Sequence, residues 1–153
     1  MTYSIGFTGT KEGMTEKQKG WVRSFLFYLV KPFPPEEEKF FHHGDCVGAD
    51  FEAHTIACSW GFNIVIHPPV LSKYRAYSDQ APDRTEGTME VRHCFQYLTR
   101  NKHIVDESDI LLVTPKTEFQ QLRSGTWAAY RYAKKQKKDT LIIFPSGRID
   151  TEV

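Results

Sequence analysis

Apolar and polar positions along the chain switch between a strand-like and a helix-like spacing from one end to the other. Tyr3 to Thr8 is a short apolar run ended by Gly9 and predicts a first strand. Thr15 opens a helix. Its hydroxyl suits an N-cap, Gln18 three residues on completes a capping box, and Trp21, Phe25, Leu26 and Leu29 recur at helical spacing toward a core. Pro32, Pro34 and Pro35 stop that helix. Lys39 to His43 predicts a second strand cut off by Gly44, Asp50 to Trp60 a second helix with Gly61 as its C-terminal cap, and Asn63 to His67 a third strand ended by Pro68-Pro69. Leu71 to Gly87 is polar and aperiodic, carrying Tyr74, Arg75, Tyr77, Asp79 and Arg84, and reads as a flap beside a site. Met89 to Asp106 predicts a helix, Asp109 to Val113 a fourth strand, Thr126 to Lys137 a helix, and Thr140 to Phe144 a fifth strand. Pro145-Ser146-Gly147 ends it and leaves a short tail.

Strands alternating with helices imply a three-layer α/β architecture, an open and mainly parallel five-stranded sheet with helices on both faces. Neither a repeat nor a linker divides it, so residues 1–153 read as one domain with the insert at 71–87. Right-handed crossovers bring the turns after the strands to one sheet edge. Those turns are Thr8-Gly9-Thr10, Gly44 to Asp50, Pro68-Pro69, Thr114 to Thr126 and Pro145-Ser146-Gly147.

Composition narrows the function classes. With 40% hydrophobic and 25% charged residues the chain is an ordinary globular one, and a formal net charge of +1 supplies no global field toward nucleic acid or membrane. The basic run Lys134-Lys135-Gln136-Lys137-Lys138 reads as a solvated helix end that complements the dipole. Cys46, Cys58 and Cys94 are odd in number and lack CxxC spacing, so no disulfide framework is expected. The first residues show no basic and then apolar leader, and Phe25 to Val30 is too short to span a bilayer, so the expected location is the cytosol, away from membranes.

Chemistry is expected at the strand-end turns. Arg123-Ser124-Gly125-Thr126-Trp127 puts small residues at a helix N-terminus, where free N–H groups and the helix dipole favour a phosphate. Thr8, Gly9 and Thr10 in the first turn offer N–H and hydroxyl donors. In the second turn Gly44 and Gly48 bracket a loop containing Asp45, and Asp50 stands either as a helix cap or as an acceptor for ribose hydroxyls. Arg100 and Asn101 precede the fourth strand, as an anion-binding charge and a sugar-orienting amide or as a plain surface pair. Trp127 is expected to pack on the sheet, with stacking on a base as the alternative, and Tyr74, Arg75 and Tyr77 read either as a closure over a base or as an ordinary surface loop. His42, His43, Asp45, Cys46 and His54 match no usual zinc spacing, and His42 and His43 should point to opposite sheet faces, so no metal is expected on that set.

The order of these motifs resembles the SLOG superfamily: a Gly turn, His43-Gly44 followed by Gly48-Ala49-Asp50, Arg100-Asn101, an acidic-apolar strand, then Ser124-Gly125-Thr126. That group includes DprA-type DNA-processing proteins and LOG/lysine-decarboxylase-like phosphoribohydrolases, and the small YspA-like members are nearest in pattern. The likeness runs from about Ile5 to Pro145. It implies a Rossmann-like fold, a nucleotide or nucleotide-derived ligand on these turns, no separate cofactor, and a homodimer. In the hydrolase branch an Arg acts with a Glu after a Gly-Gly-x-Gly-Thr turn. Arg100 matches the Arg, making it the one catalytic candidate, while Ala128 and Ala129 stand where the Glu belongs. Glu118 or Asp45 would then have to supply the carboxylate. The DprA branch, with Arg123-Ser124-Gly125 at its Lys-Ser-Gly turn, implies single-stranded DNA, which the near-neutral charge makes the less favoured partner. Three readings follow, in this order: a nucleotide-binding protein, a nucleoside 5′-monophosphate phosphoribohydrolase, and a DprA-like DNA-binding accessory protein.

Overall fold

A computed structural model describes residues 2–30, 37–82 and 85–151. The expected helix stop at Pro32, Pro34 and Pro35, and Arg84 of the insert, lie outside the described residues. The strands are β1 (Thr2–Gly9), β2 (Glu38–His43), β3 (Asn63–Ile66), β4 (Met89–Val91), β5 (Ile110–Thr114), β6 (Asp139–Ile143) and β7 (Ile149–Asp150), and the helices are α1 (Glu16–Val30), α2 (Ala49–Ser59), α3 (Tyr97–Asp106) and α4 (Gly125–Lys135). They form one seven-stranded sheet in the order β4-β3-β2-β1-β5-β6-β7, parallel throughout except for the β6–β7 pair.

The alternation of apolar side chains decides the layers. Phe41, Leu112, Leu141 and Ile143 join Val22, Leu26, Ala53 and Ala57 of α1 and α2 in one core, while Leu111, Val113 and Ile142 join Ile104, Val105, Trp127 and Ala133 of α3 and α4 in the other. Neighbours one residue apart on β5 and β6 thus serve opposite layers, as a period of two demands.

The capping box at the start of α1 is formed as expected: Gln18 N donates to Thr15 Oγ1 at 3.2 Å, and Thr15 N donates to Gln18 Oε1 at 2.9 Å. The same glutamine, fully buried, donates from Nε2 to the carbonyls of Pro115 and Ile143 at 2.9 Å each, tying the helix start to the ends of β5 and β6. The inward face of α1 is Gln18, Val22 and Leu26. Trp21, expected in the core, is 48% exposed because its position is rotated off that row, while Phe25 and Leu29 pack at its margin.

The sheet exceeds the expected five strands at both edges. The helix expected from Met89 begins only at Tyr97, and Met89–Val91 is a strand instead. Ile64 N donates to Thr88 O and Arg92 N to Ile66 O, both at 2.8 Å, so this segment satisfies the edge of β3 that a helix would have left bare. The expected tail folds back as β7 beyond the turn at Ser146-Gly147, with Phe144 N bonded to Arg148 O at 2.8 Å. No helix among the described residues is long and apolar enough to cross a membrane.

Three buried imidazoles set a pH dependence. Burial pushes His42 down to about 4, His67 to about 3, and His43 well below its ordinary 6.5. Below that ordinary value the unfolded chain takes up protons that the folded chain refuses, so stability falls as pH drops from 6.5 toward 4. Asp50 works the other way, since burial raises it from 3.8 to about 6 and the folded chain then loses stability as pH rises through that window. Three imidazoles outweigh one carboxyl. Urea unfolding should show stability lower by roughly 3 kcal/mol at about pH 5 than at about pH 7. An equal or higher midpoint at the acid end would contradict this burial.

Candidate functional site

The chain leaves β1 to one side of the sheet for β2 and β3, then returns to the other side for β5, which makes the β1–β5 pair the switch point where open α/β sheets hold ligands. A cleft of about 470 Å³ opens there. Its walls come from the loops after β1, β2, β3 and β5 and from the first turn of α4.

Ser124 is the N-cap of α4: its hydroxyl accepts from Trp127 N at 3.3 Å and its carbonyl from Ala128 N at 2.8 Å. The amides of Gly125 and Thr126 sit in the first turn, where a helix has no internal acceptor to offer, and both residues line the cleft. Tyr97, at the start of α3, lies flat against this turn. A Cβ on Gly125 would come within 1.7 Å of the Tyr97 Oη, so only glycine leaves room for that ring. Across the cleft stand Gly9 and Thr10. The Thr10 carbonyl accepts from Gly13 N at 3.1 Å and Ala49 N at 3.0 Å, which sets the first loop against the start of α2.

Of the residues expected at the site, Gly9, Thr10, Ser124, Gly125 and Thr126 line this cleft, and Thr8, Gly44, Asp45, Gly48, Asp50, Arg100 and Asn101 do not. Arg100 is the largest departure. It is 3% exposed, and its Nη1 donates to Gly44 O at 2.6 Å and His67 O at 3.0 Å. Nε donates to Asn101 Oδ1 at 2.8 Å, Nη2 reaches Cys46 Sγ at 3.7 Å, and the Tyr97 ring, 4.9 Å away, separates the guanidinium from the cleft. The side chain is turned inward because two buried loop carbonyls need a donor there and the buried Asp50 carboxylate favours a cation nearby.

The acidic residues of the second loop are likewise committed to structure. Asp45, fully buried in a left-handed conformation with φ 54°, accepts from Arg75 Nε at 2.7 Å and Ser78 N at 2.9 Å. Asp50 accepts from Cys46 N at 3.2 Å, and burial raises it to about 6 against the pull of Arg100. Gly48 holds φ 88° with the Lys11 carbonyl 2.2 Å from where a Cβ would be, so that loop requires glycine. Through Asp45 the segment expected as a flap is pinned down: Ala76 N bonds Asp45 O at 2.7 Å and Val47 N bonds Tyr74 O at 3.0 Å. Tyr74 reaches the cleft wall, whereas Arg75 stacks on Tyr77 at 4.5 Å and pairs with Asp79 at 3.2 Å.

The expected opposite facing of His42 and His43 is present. His43 Nδ1 accepts from Asp45 N at 2.9 Å, which leaves its proton on Nε2 to donate to His54 Nδ1 at 2.9 Å; His54 Nε2 then reaches Cys58 Sγ at 3.5 Å. His42 meets His67 on the other face. Burial raises the Cys46 thiol to about 11, so the one cysteine on the cleft is a poor nucleophile.

Arg123, named with its turn from the sequence, and two lysines not singled out there supply the charge. Lys11, Lys116 and Arg123 line the cleft, with Val47, Val70 and Leu71 as an apolar wall beside Tyr74. Lys11 lies over the Tyr74 ring at 5.5 Å, and Lys116 pairs with Glu12 at 3.5 Å. Glu12 also lines the cleft. The Thr10 hydroxyl, above all, holds its carboxyl below the usual range. Glu118 bonds instead to Ser146, with Oε1 accepting from the Ser146 hydroxyl at 2.6 Å, and is not on the cleft.

Since Arg100 fastens loops, Arg100→Met should destabilise the fold by about 3 kcal/mol or more, leaving two buried carbonyls without their donor and Asp50 without its neighbouring cation. Thermal and urea unfolding measure this. A variant as stable as the parent would contradict the buried placement.

No family profile matches the chain, and no curated protein matches it. Solved structures do, two of them as follows. One, described as giving structural insights into the single-stranded DNA binding mode of DNA processing protein A from Helicobacter pylori, superposes with a TM-score of 0.62 at 17% identity over 92% of this chain. The chain spans 64% of that protein's length. The other, TM1055, a structural genomics target, superposes with a TM-score of 0.59 at 11% identity, covering 90% of this chain and 72% of its own. Both superpose over nine tenths or more of this chain, which has the same Rossmann-like α/β fold as they do.

Proposed function

We propose that the cleft at the β1–β5 switch point binds a nucleotide or nucleotide-derived small molecule, with a phosphate at the N-terminus of α4. The observation that carries this reading is the convergence of the Gly125 and Thr126 amides, Thr10, and the cations Lys11, Lys116 and Arg123 on one cleft with an apolar wall. The amides and helix dipole suit a phosphate, and the lysines and Arg123 add charge at the rim. Val47, Val70, Leu71 and the Tyr74 ring suit a base. The volume of about 470 Å³ is right for a molecule of mononucleotide size rather than a polymer. Thr8, Asp50 and Asn101 act behind this surface, and Arg100 shapes it rather than touching ligand.

Glu12 favours a second reading, hydrolysis of the N-glycosidic bond of a nucleoside 5′-monophosphate. Its carboxylate is the one that lines the cleft, and an oxocarbenium-like transition state needs a carboxylate nearby to stabilise the sugar and activate water.

Calorimetry with mononucleotides, ADP-ribose derivatives and cyclic dinucleotides tests binding. At least one should bind, and Lys116→Ala with Arg123→Ala should weaken it about tenfold or more without lowering thermal stability. Absence of binding by the folded protein at high micromolar ligand would overturn the reading, as would binding indifferent to both substitutions. Chromatography for released base separates the two readings: release abolished by Glu12→Gln with binding retained marks a hydrolase, and no release marks a binding protein. Steeply salt-dependent binding of single-stranded oligonucleotides in preference to mononucleotides would favour a DNA-binding role instead.

A further inference from the structure

Four of the six histidines, His42, His67, His93 and His103, gather where β2, β3 and β4 end against α3, on the sheet face away from α2. Within this group His42 Nδ1 and His67 Nε2 are 2.9 Å apart, and one ring nitrogen of each histidine and a Glu107 carboxylate oxygen all lie within 4.8 Å of one another. We infer that His42, His67 and Glu107 form a binding site for a borderline divalent cation of the zinc type.

The geometry is close to what such an ion requires. Two nitrogens on a tetrahedral ion stand about 3.3 Å apart, so the rings need to open by only a few tenths of an ångström. The two imidazoles are 4% and 2% exposed and stack with their planes 29° apart, so neither has another rotamer readily open to it. Their ligating nitrogens face each other, an arrangement in which one ring has to donate to the other. On coordination that donor moves its proton to its second ring nitrogen, and both rings stay neutral. Burial already favours the neutral form of each. Glu107, 34% exposed at the end of α3, sits at the solvent side and gives the ion both a charged oxygen and a way in.

Two imidazoles and one carboxylate suit zinc and its neighbours rather than magnesium or calcium, which prefer all-oxygen shells. Arg92 occupies the carboxylate in the ion's absence, with contacts to Glu107 at 2.8 and 3.1 Å. It has a second partner in Glu90, on which it can remain when Glu107 turns to the ion. His67 also ties this site to the cleft, because its carbonyl accepts from Arg100 and the chain runs directly on to Pro69 and Leu71 of the cleft wall. An ion here would stiffen that wall from behind.

Isothermal titration of the EDTA-treated protein with Zn2+, and visible absorption with Co2+ as the probe, test the site. One ion per chain is expected, with Co2+ d–d bands of tetrahedral intensity. Glu107→Gln should weaken binding about tenfold or more. Its circular dichroism and metal-free melting should stay near the parent's, since the side chain is partly exposed and its ion pair with Arg92 is a surface one. Arg92→Gln should tighten binding by releasing Glu107 and removing a nearby cation, an effect that a mere structural ion pair would not produce. His93→Gln, on an exposed position, should leave binding unchanged. Failure of the parent to bind Zn2+ saturably, parent-like affinity in Glu107→Gln, weaker binding in Arg92→Gln, or loss of binding in His93→Gln would each overturn the inference.

Discussion

A single buried guanidinium holds the loops at the cleft edge of this sheet together. Arg100 reaches from α3 across the ends of β2 and β3, donates to the carbonyls of Gly44 and His67, and lies beside the Asp50 carboxylate at the start of α2. Without it, two loop carbonyls would be buried with no donor and a buried carboxylate would lose the cation beside it, a situation that folded chains avoid. Its position also fixes Tyr97, whose ring fills the space between the guanidinium and Gly125. The walls of the cleft are therefore consequences of one cation that does not itself enter the cleft.

This arrangement divides labour between buried and exposed charge. The inward groups, Asp45, Asp50 and Arg100, are satisfied by backbone together with Arg75 on Asp45 and Asn101 on Arg100, and they set loop shape. The outward groups, Lys11, Lys116, Arg123 and Glu12, line the cleft, where their contacts, such as the Lys116–Glu12 pair at 3.5 Å, are side-chain ones at the rim. A fold of this kind can change its ligand by changing the rim while its buried frame stays as it is. The four buried histidines divide instead between the two layers. His43 and His54 complete a hydrogen-bond chain inside one layer, whereas His42 and His67 face each other near the rim of the other.

Much of the architecture was legible in the sequence because buried parallel strands write themselves as apolar runs and their helices as capped, periodic stretches. Thr15 and Gln18 announced the start of α1, and Ser124 the start of α4. The edge strands were not legible. Met89–Val91 and Ile149–Asp150 are too short to show a period, and both exist because a neighbouring strand offers an unpaired edge, which is tertiary information. Sequence order likewise could not tell an arginine aimed at a ligand from one aimed at two carbonyls, because both require the same residue in the same place. It also passed over Lys11, Lys116 and Glu12. Their loops converge only through the β1–β5 pairing, although their nearness to the Gly9 and Thr114 turns was a signal that could have been followed.

The account rests most heavily on the first turn of α4 being open to an anion. Amide chemical shifts of isotope-labelled protein, followed while a mononucleotide or inorganic phosphate is added, measure this directly. Saturable shifts largest at Gly125 and Thr126, accompanied by Thr10 across the cleft, are the predicted result. Shifts confined to other surfaces, with the amides of 125 and 126 unmoved at saturation, would contradict it.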